Sequence, residues 1–147
     1  MHEKTMKRHS WIFVTLIVLA FLSGCSRKDP LYPEGCNQYF YFGYDTSGNA
    51  VVSGTIRIAK DLTYGDWELK ALDDQQDIGP QTGSGSLVCS LKDDTLLCVY
   101  LNPNMVDCNV NLTGKLSEKE YTGTWGYYGF AGLMNSGKFI AIENMLP

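Results

Sequence analysis

Residues 108–116, with the sequence Cys-Asn-Val-Asn-Leu-Thr-Gly-Lys-Leu, have the most regular pattern in the chain. Apolar or small residues alternate there with polar ones, so that Val110 and Leu112 share one face while Asn111 and Thr113 share the other. Side chains of a β-strand point to opposite faces in turn, and this alternation is typical of a strand with one buried face. The stretch therefore predicts β-structure.

Seven further strand-like runs flank this one, and short turns join most of them. They cover residues 37–44, 51–60, 67–71, 86–92, 95–101, 121–128 and 137–143. Antiparallel neighbours connected by short turns form a meander, and closure of the sheet removes its exposed edges. We therefore predict an all-β domain, an eight-stranded antiparallel up-and-down barrel, with a β-sandwich as the alternative.

The runs 86–92 and 95–101 flank the dipeptide Asp93-Asp94. If these two aspartates form a two-residue turn, Cys89 lies directly opposite Cys98. The two would be a non-hydrogen-bonded pair with Cα atoms about 4.5 Å apart, which is the short end of the disulfide range. A longer loop would shift this register.

The first 24 residues have the organisation of a secretory signal. Basic residues (Lys4, Lys7 and Arg8) precede an apolar run at 11–22. A helix of that length spans about 18 Å, well short of a hydrocarbon core of about 30 Å. We therefore predict a cleaved signal peptide rather than a transmembrane span.

The apolar run ends at Leu22-Ser23-Gly24-Cys25, which resembles the lipobox of bacterial lipoproteins. The resemblance implies that the Cys25 thiol carries a diacylglycerol, that the chain is cut before it, and that acyl chains such as palmitate hold the protein on a membrane. The domains would then be a signal peptide (1–24), a polar lipidated tether (25–35) and one all-β domain (36–147). Ser26 is not an aspartate. The family's sorting rule therefore sends such a protein to the outer membrane of a two-membrane cell envelope. The rule does not say whether the protein lies on the periplasmic or the surface side of that membrane.

Four cysteines follow the proposed anchor: Cys36, Cys89, Cys98 and Cys108. An even number in an exported domain indicates two disulfides, with three possible connectivities. We favour Cys89–Cys98, which leaves Cys36–Cys108. Cys36 and Cys108 would each lie at the start of a strand, and in a meander these two strands start at opposite ends. A bridge between them would need the N-terminal segment to cross one end of the barrel, or it would need a different connectivity. A four-thiolate metal site would need closer cysteine pairs, and we predict no metal site.

Composition excludes several classes of function. Both histidines, His2 and His9, lie in the signal, so histidine-based catalytic arrangements are missing from the mature chain. Without the signal the chain has nine basic and fifteen acidic residues, a net charge of about −6, which argues against nucleic acid as a partner. Residues 83–86 are glycine-rich but lack the lysine of a phosphate loop. We predict a protein that is not an enzyme and that has no cofactor.

The stretches 123–125 (Gly-Thr-Trp) and 136–141 look like the closing hairpin of lipocalin-like and avidin-like small barrels. This likeness implies a binding module for a small apolar or sugar-like ligand. The candidate ligand-binding residues are aromatic: Trp67, Tyr121, Trp125, Tyr127 and Tyr128. Aromatic residues at alternate strand positions more often pack a core or a rim.

The alternative function is that of an acidic interaction or inhibitor protein acting on a basic partner such as a lysozyme. Small disulfide-bonded acidic barrels of the envelope can act in this way through loops that carry carboxylates. The aspartates of such loops would be Asp73, Asp74, Asp77, Asp93 and Asp94.

Overall fold

The computed structural model describes residues 35–72 and 77–144, and in these ranges the chain forms strands and no helix. The eight strands are β1 (Cys36–Tyr44), β2 (Ala50–Ala59), β3 (Tyr64–Ala71), β4 (Gly83–Lys92), β5 (Leu96–Tyr100), β6 (Asn109–Leu116), β7 (Glu120–Gly129) and β8 (Gly132–Glu143). Each strand pairs antiparallel with the next, and β8 pairs with β1 to close a barrel. The predicted eight-stranded antiparallel up-and-down barrel is confirmed, and the β-sandwich alternative is wrong.

None of the described segments is a helix long and apolar enough to cross a membrane.

The alternating run at 108–116 forms β6 and shows how the sequence makes the core. Leu112 is fully buried and lies opposite Val99 of β5 and Trp125 of β7. Asn111 and Thr113 point to the outer face and are half-buried. The apolar half of the alternation therefore fills the barrel, and the polar half covers it.

Large side chains inside the barrel face glycines on neighbouring strands. Trp67 lies opposite Gly85, and Trp125 lies opposite Gly137. A Cβ atom on Gly85 would lie 3.1 Å from the Trp67 indole nitrogen. An interior of eight strands is just wide enough for side chains to fill it, and alternation of small and large residues achieves this.

The two ends of the barrel differ in their connections. The end at which β1 begins, called here the N-terminal end, carries the turns β2–β3, β4–β5 and β6–β7. The opposite end, called here the loop end, carries the other four connections, residues 45–49, 72–82, 101–108 and 130–131.

The β7–β8 connection is shorter than the sequence suggested. A glycine-containing connection is predicted over 129–136, but β7 extends to Gly129 and β8 starts at Gly132. Gly132 has a φ of 102°, a conformation that costs glycine little and allows a tight turn. The hairpin therefore carries its apolar residues to the tip of the loop end.

Candidate functional site

The aromatic residues predicted to bind a ligand do not line one open cavity. Trp67, Tyr121 and Trp125 are between 0% and 3% exposed and belong to the core cluster. Tyr127 is half-buried and packs against that cluster, whereas Tyr128 is 42% exposed on the outer face. The prediction that these residues bind a ligand stays a prediction, but three of them already serve to pack the interior.

The polar atoms of two of these residues are used inside the barrel. The Tyr121 hydroxyl donates to the Leu97 carbonyl at 2.9 Å, and its ring packs edge-on against Phe139 with centroids 4.7 Å apart. The Trp125 indole nitrogen donates to the Tyr44 carbonyl at 2.9 Å. Burial raises the pKa of Tyr121 above its ordinary value. These contacts fix the rings in place and leave them no free polar group for a ligand.

The loop end of the barrel is closed by the β3–β4 connection. Gln81 is fully buried there, and Ile78 is 5% exposed. The Tyr41 hydroxyl donates to Gln81 Oε1 at 3.2 Å, and Gln81 Nε2 donates to the Ile78 carbonyl at 2.7 Å. The sequence predicts a polar lid or rim over residues 73–85. Ile78 is the one aliphatic residue in that stretch, and it is the signal that could have indicated a plug.

This plug is held by the neighbouring elements. Asn135 Nδ2 of β8 donates to the Asp77 carbonyl at 2.7 Å, and Asn102 Nδ2 donates to the Pro80 carbonyl at 3.3 Å. Gly79 has a φ of 64° and lies so close to the Tyr127 ring that a Cβ atom would come within 2.5 Å of it. The described part of the connection is therefore fixed against both sides of the mouth.

The predicted pairing of Cys89 with Cys98 has the wrong register. Cys89 lies opposite Val99, and Cys98 lies opposite Ser90. Asp93 and Asp94 do form a turn with positive φ angles of 52° and 57°, but the ladder starts at Lys92 and Leu96, so that Thr95 is an extra residue. A shift of one residue places the two cysteines on opposite faces of the sheet.

The second predicted pair is separated along the barrel. Cys36 starts β1 at the N-terminal end, whereas Cys108 precedes β6 at the loop end, where its sulfur accepts from the Tyr127 hydroxyl at 3.6 Å. All four cysteines of the described ranges are free thiols, so neither disulfide is confirmed. Burial raises the pKa of Cys89 to about 12, which keeps that thiol protonated.

The predicted acidic loop residues are divided between the two ends. Asp77 lies at the loop end, and Asp93 and Asp94 lie at the N-terminal end. The loop end carries two further aspartates, Asp45 and Asp107, that the sequence reasoning missed because it did not assign connections to ends. Asp73, Asp74 and the lipobox residues 22–25 lie outside the described residues.

The outer wall has an open groove of about 710 Å³ beside the β1–β2 turn. Its lining includes Tyr44, Thr46, Ser47, Lys138, Phe139 and Ile140. Among the residues that the structure describes, no three His, Cys, Asp or Glu side chains are grouped so that they could hold a metal ion.

No family model, curated protein or solved structure matches this chain.

Proposed function

We propose that this protein is a lipid-anchored lipoprotein of the cell envelope with a non-catalytic role, which binds a basic protein such as a lysozyme through its outer surface. The observation that carries the proposal is the filled interior. Trp125, Tyr121 and Tyr41 occupy it with at most 1% exposure each, and Gln81 closes the loop end. A partner then has the outer wall and the loops to contact.

The anchoring part of the proposal rests on the sequence at Leu22-Ser23-Gly24-Cys25. Two or more acyl chains hold a protein stably on a membrane, whereas a single chain binds reversibly. With Cys25 as the point of attachment and residues 26–35 as a tether, the barrel would remain within reach of soluble proteins near the membrane.

The basic partner is supported by charge. The mature chain has a net charge of about −6, and aspartates occupy several of its turns and loops. Opposite charges accelerate association and favour partners of complementary sign.

A small ligand remains the second candidate, because the groove beside the β1–β2 turn combines apolar and polar side chains. Such a ligand would contact Ile140 from outside the barrel, whereas the Phe139 ring is buried in the core. Lys138 and the hydroxyl of Thr46 or Ser47 offer it polar partners.

The test is calorimetric titration of the full-length lipidated protein, in non-ionic detergent, with egg-white lysozyme. We expect binding that weakens at least tenfold between low and moderate salt, because exposed charges are screened over about 8 Å at physiological ionic strength. Lysozyme with acetylated lysines is the matched control and should bind more weakly. The absence of binding at low salt, or equal binding of the acetylated protein, would contradict the proposal.

A further inference from the structure

The loop end exposes large apolar side chains at the tips of two connections. Val106 is 98% exposed and Phe130 is 95% exposed. Other exposed apolar residues lie in or beside the connections of the same end: Leu72, Met105, Leu133 and Met134. Scattered exposed apolar residues need no explanation, but a contiguous group marks an interaction site.

The two tips arise from neighbouring strands. Residues 101–108 lead into β6, which pairs with β7, and the β7–β8 turn follows directly. Asn109 lies opposite Tyr128, and the Tyr127 hydroxyl contacts the Cys108 sulfur at 3.6 Å. Val106 and Phe130 therefore belong to connections at the same end of the barrel, next to two paired strands.

The connections of this end carry charges of one sign. Their described residues include the aspartates Asp45, Asp77 and Asp107, and the sequences of these connections contain neither lysine nor arginine. The turns of the N-terminal end differ, because Lys60 and Lys119 accompany the acidic residues there. The two ends thus offer different surfaces to a partner.

The loop end is also held in place before any partner arrives. Asn135 and Asn102 bind carbonyl groups of the β3–β4 connection, and the Asp45 carboxylate accepts hydrogen bonds from the backbone nitrogens of Ser47 and Asn49 at 2.9 and 2.8 Å. The Asn49 side-chain amide also donates to this carboxylate at 3.0 Å, and that bond, together with the backbone bonds, lowers the pKa of Asp45. A surface that is already ordered loses less entropy on binding.

We propose that the loop-end rim, defined as Val106 and Phe130 with Asp45, Asp77 and Asp107, is the docking face for a cationic protein that has an apolar recess. This inference rests on the proposed function and names the face that performs it. An anionic lipid surface would repel the rim carboxylates, and a second copy of the chain would bring like charges together. A cationic protein with an apolar recess would pair its charges with the aspartates and would bury the side chains of Val106 and Phe130.

Matched variants of the full-length lipidated protein test the rim, with egg-white lysozyme as the probe. Asp77→Asn with Asp107→Asn should weaken binding about tenfold, and so should Phe130→Ser with Val106→Ser. The controls are Asp93→Asn with Asp94→Asn at the opposite end, where asparagine tolerates the positive φ angles, and Phe40→Ser on the outer wall, where Phe40 is 42% exposed. The controls should change the affinity less than twofold, and melting temperatures should show that every variant is folded.

The outcomes separate this inference from the proposed function. Lysozyme binding that falls in the Asp93/Asp94 control but not in the rim variants would overturn the docking face and leave the proposed function standing. The absence of lysozyme binding to the wild-type protein would overturn both. A Phe130→Trp variant in vesicles with brominated lipids should keep its fluorescence, and quenching would show that the rim faces the membrane instead.

Discussion

Gly137 shows at the scale of one residue how tightly the interior is packed. It lies opposite Trp125, whose indole nitrogen donates to the Tyr44 carbonyl. A Cβ atom at position 137 would overlap the Tyr44 carbonyl oxygen and come within 2.7 Å of the indole nitrogen. Only glycine fits where β8 meets β1.

Gly137→Ala should therefore lower the free energy of unfolding by about 2–3 kcal/mol, the upper range for an overpacked core. Urea unfolding followed by tryptophan fluorescence measures this. Gly129→Ala is the matched control, because its Cβ atom would meet only the flexible Met134 side chain, at 3.2 Å. Equal losses in the two variants would mean that the Trp125 pocket is not as tight as described.

Two buried tyrosines make the stability depend on alkaline pH. Burial raises the pKa of both Tyr41 and Tyr121 above the ordinary value near 10. Their contribution to the free energy of unfolding is complete below a pH of about 10. It is lost as the pH rises further, because the unfolded chain then releases protons that the folded protein retains. Each group steepens the decline by about 1.4 kcal/mol per pH unit.

Tyr121→Phe should reduce the slope of the free energy of unfolding against pH by the equivalent of about one proton. It should also lower the free energy of unfolding at neutral pH by about 1–2 kcal/mol, because the hydrogen bond to the Leu97 carbonyl is lost. Urea unfolding between pH 8 and pH 11 gives both quantities. Tyr128→Phe, at a position that is 42% exposed, should change neither. An unchanged slope in Tyr121→Phe would contradict the assignment.

At the scale of the element, the β3–β4 connection covers the loop-end mouth of the barrel. Gln81 contacts Tyr41 and the Ile78 carbonyl beneath the mouth. Gln81→Ala should remove both contacts and lower the free energy of unfolding by about 1–3 kcal/mol. It should still exclude an apolar polarity-sensitive dye, because the aromatic side chains of the core fill the interior. Urea unfolding and dye fluorescence measure the two effects, with Gln38→Ala on β1 as the control. Dye binding by the wild-type interior would show that the barrel is open.

Most of the elements could be predicted from the sequence, because alternation of apolar and polar residues is a local property. Residues 108–116 show this well: the pattern places Val110 and Leu112 inside, where they are fully buried. The β4–β5 register could not be predicted in the same way. The turn forms at Asp93-Asp94 as expected, but Thr95 is left out of the ladder, and one unpaired residue reverses the faces.

The candidate site was less predictable than the fold, since it depends on which loops meet at one end of the barrel. Asp77 and Asp107 are 30 positions apart in sequence and belong to different connections. The aromatic pattern that indicated ligand binding also indicates core packing, and for Trp67, Tyr121 and Trp125 the structure shows the packing. Residue types alone do not distinguish these two roles.

At the scale of the whole molecule, Cys25 is the proposed point of attachment. Cys25→Ser should prevent both lipid attachment and cleavage before residue 25, because the thiolate is the nucleophile that takes the diacylglycerol. Metabolic labelling with a radioactive fatty acid and the mass of the purified chain measure the two effects. Cys36→Ser, at the first residue of β1, should be labelled and processed as the wild type. Normal processing of Cys25→Ser would contradict the anchor.

The barrel is filled, and we propose that partners bind outside it, at the loop end. Nuclear magnetic resonance of the isotope-labelled protein, titrated with egg-white lysozyme, tests this most directly. We predict shifts in the amides of residues 105–107 and 128–134 and of Asp77, with no change in the buried methyl groups of Leu97, Val99 and Leu112. Shifts confined to those interior methyl groups, or to the turn at Asp93-Asp94, would contradict it.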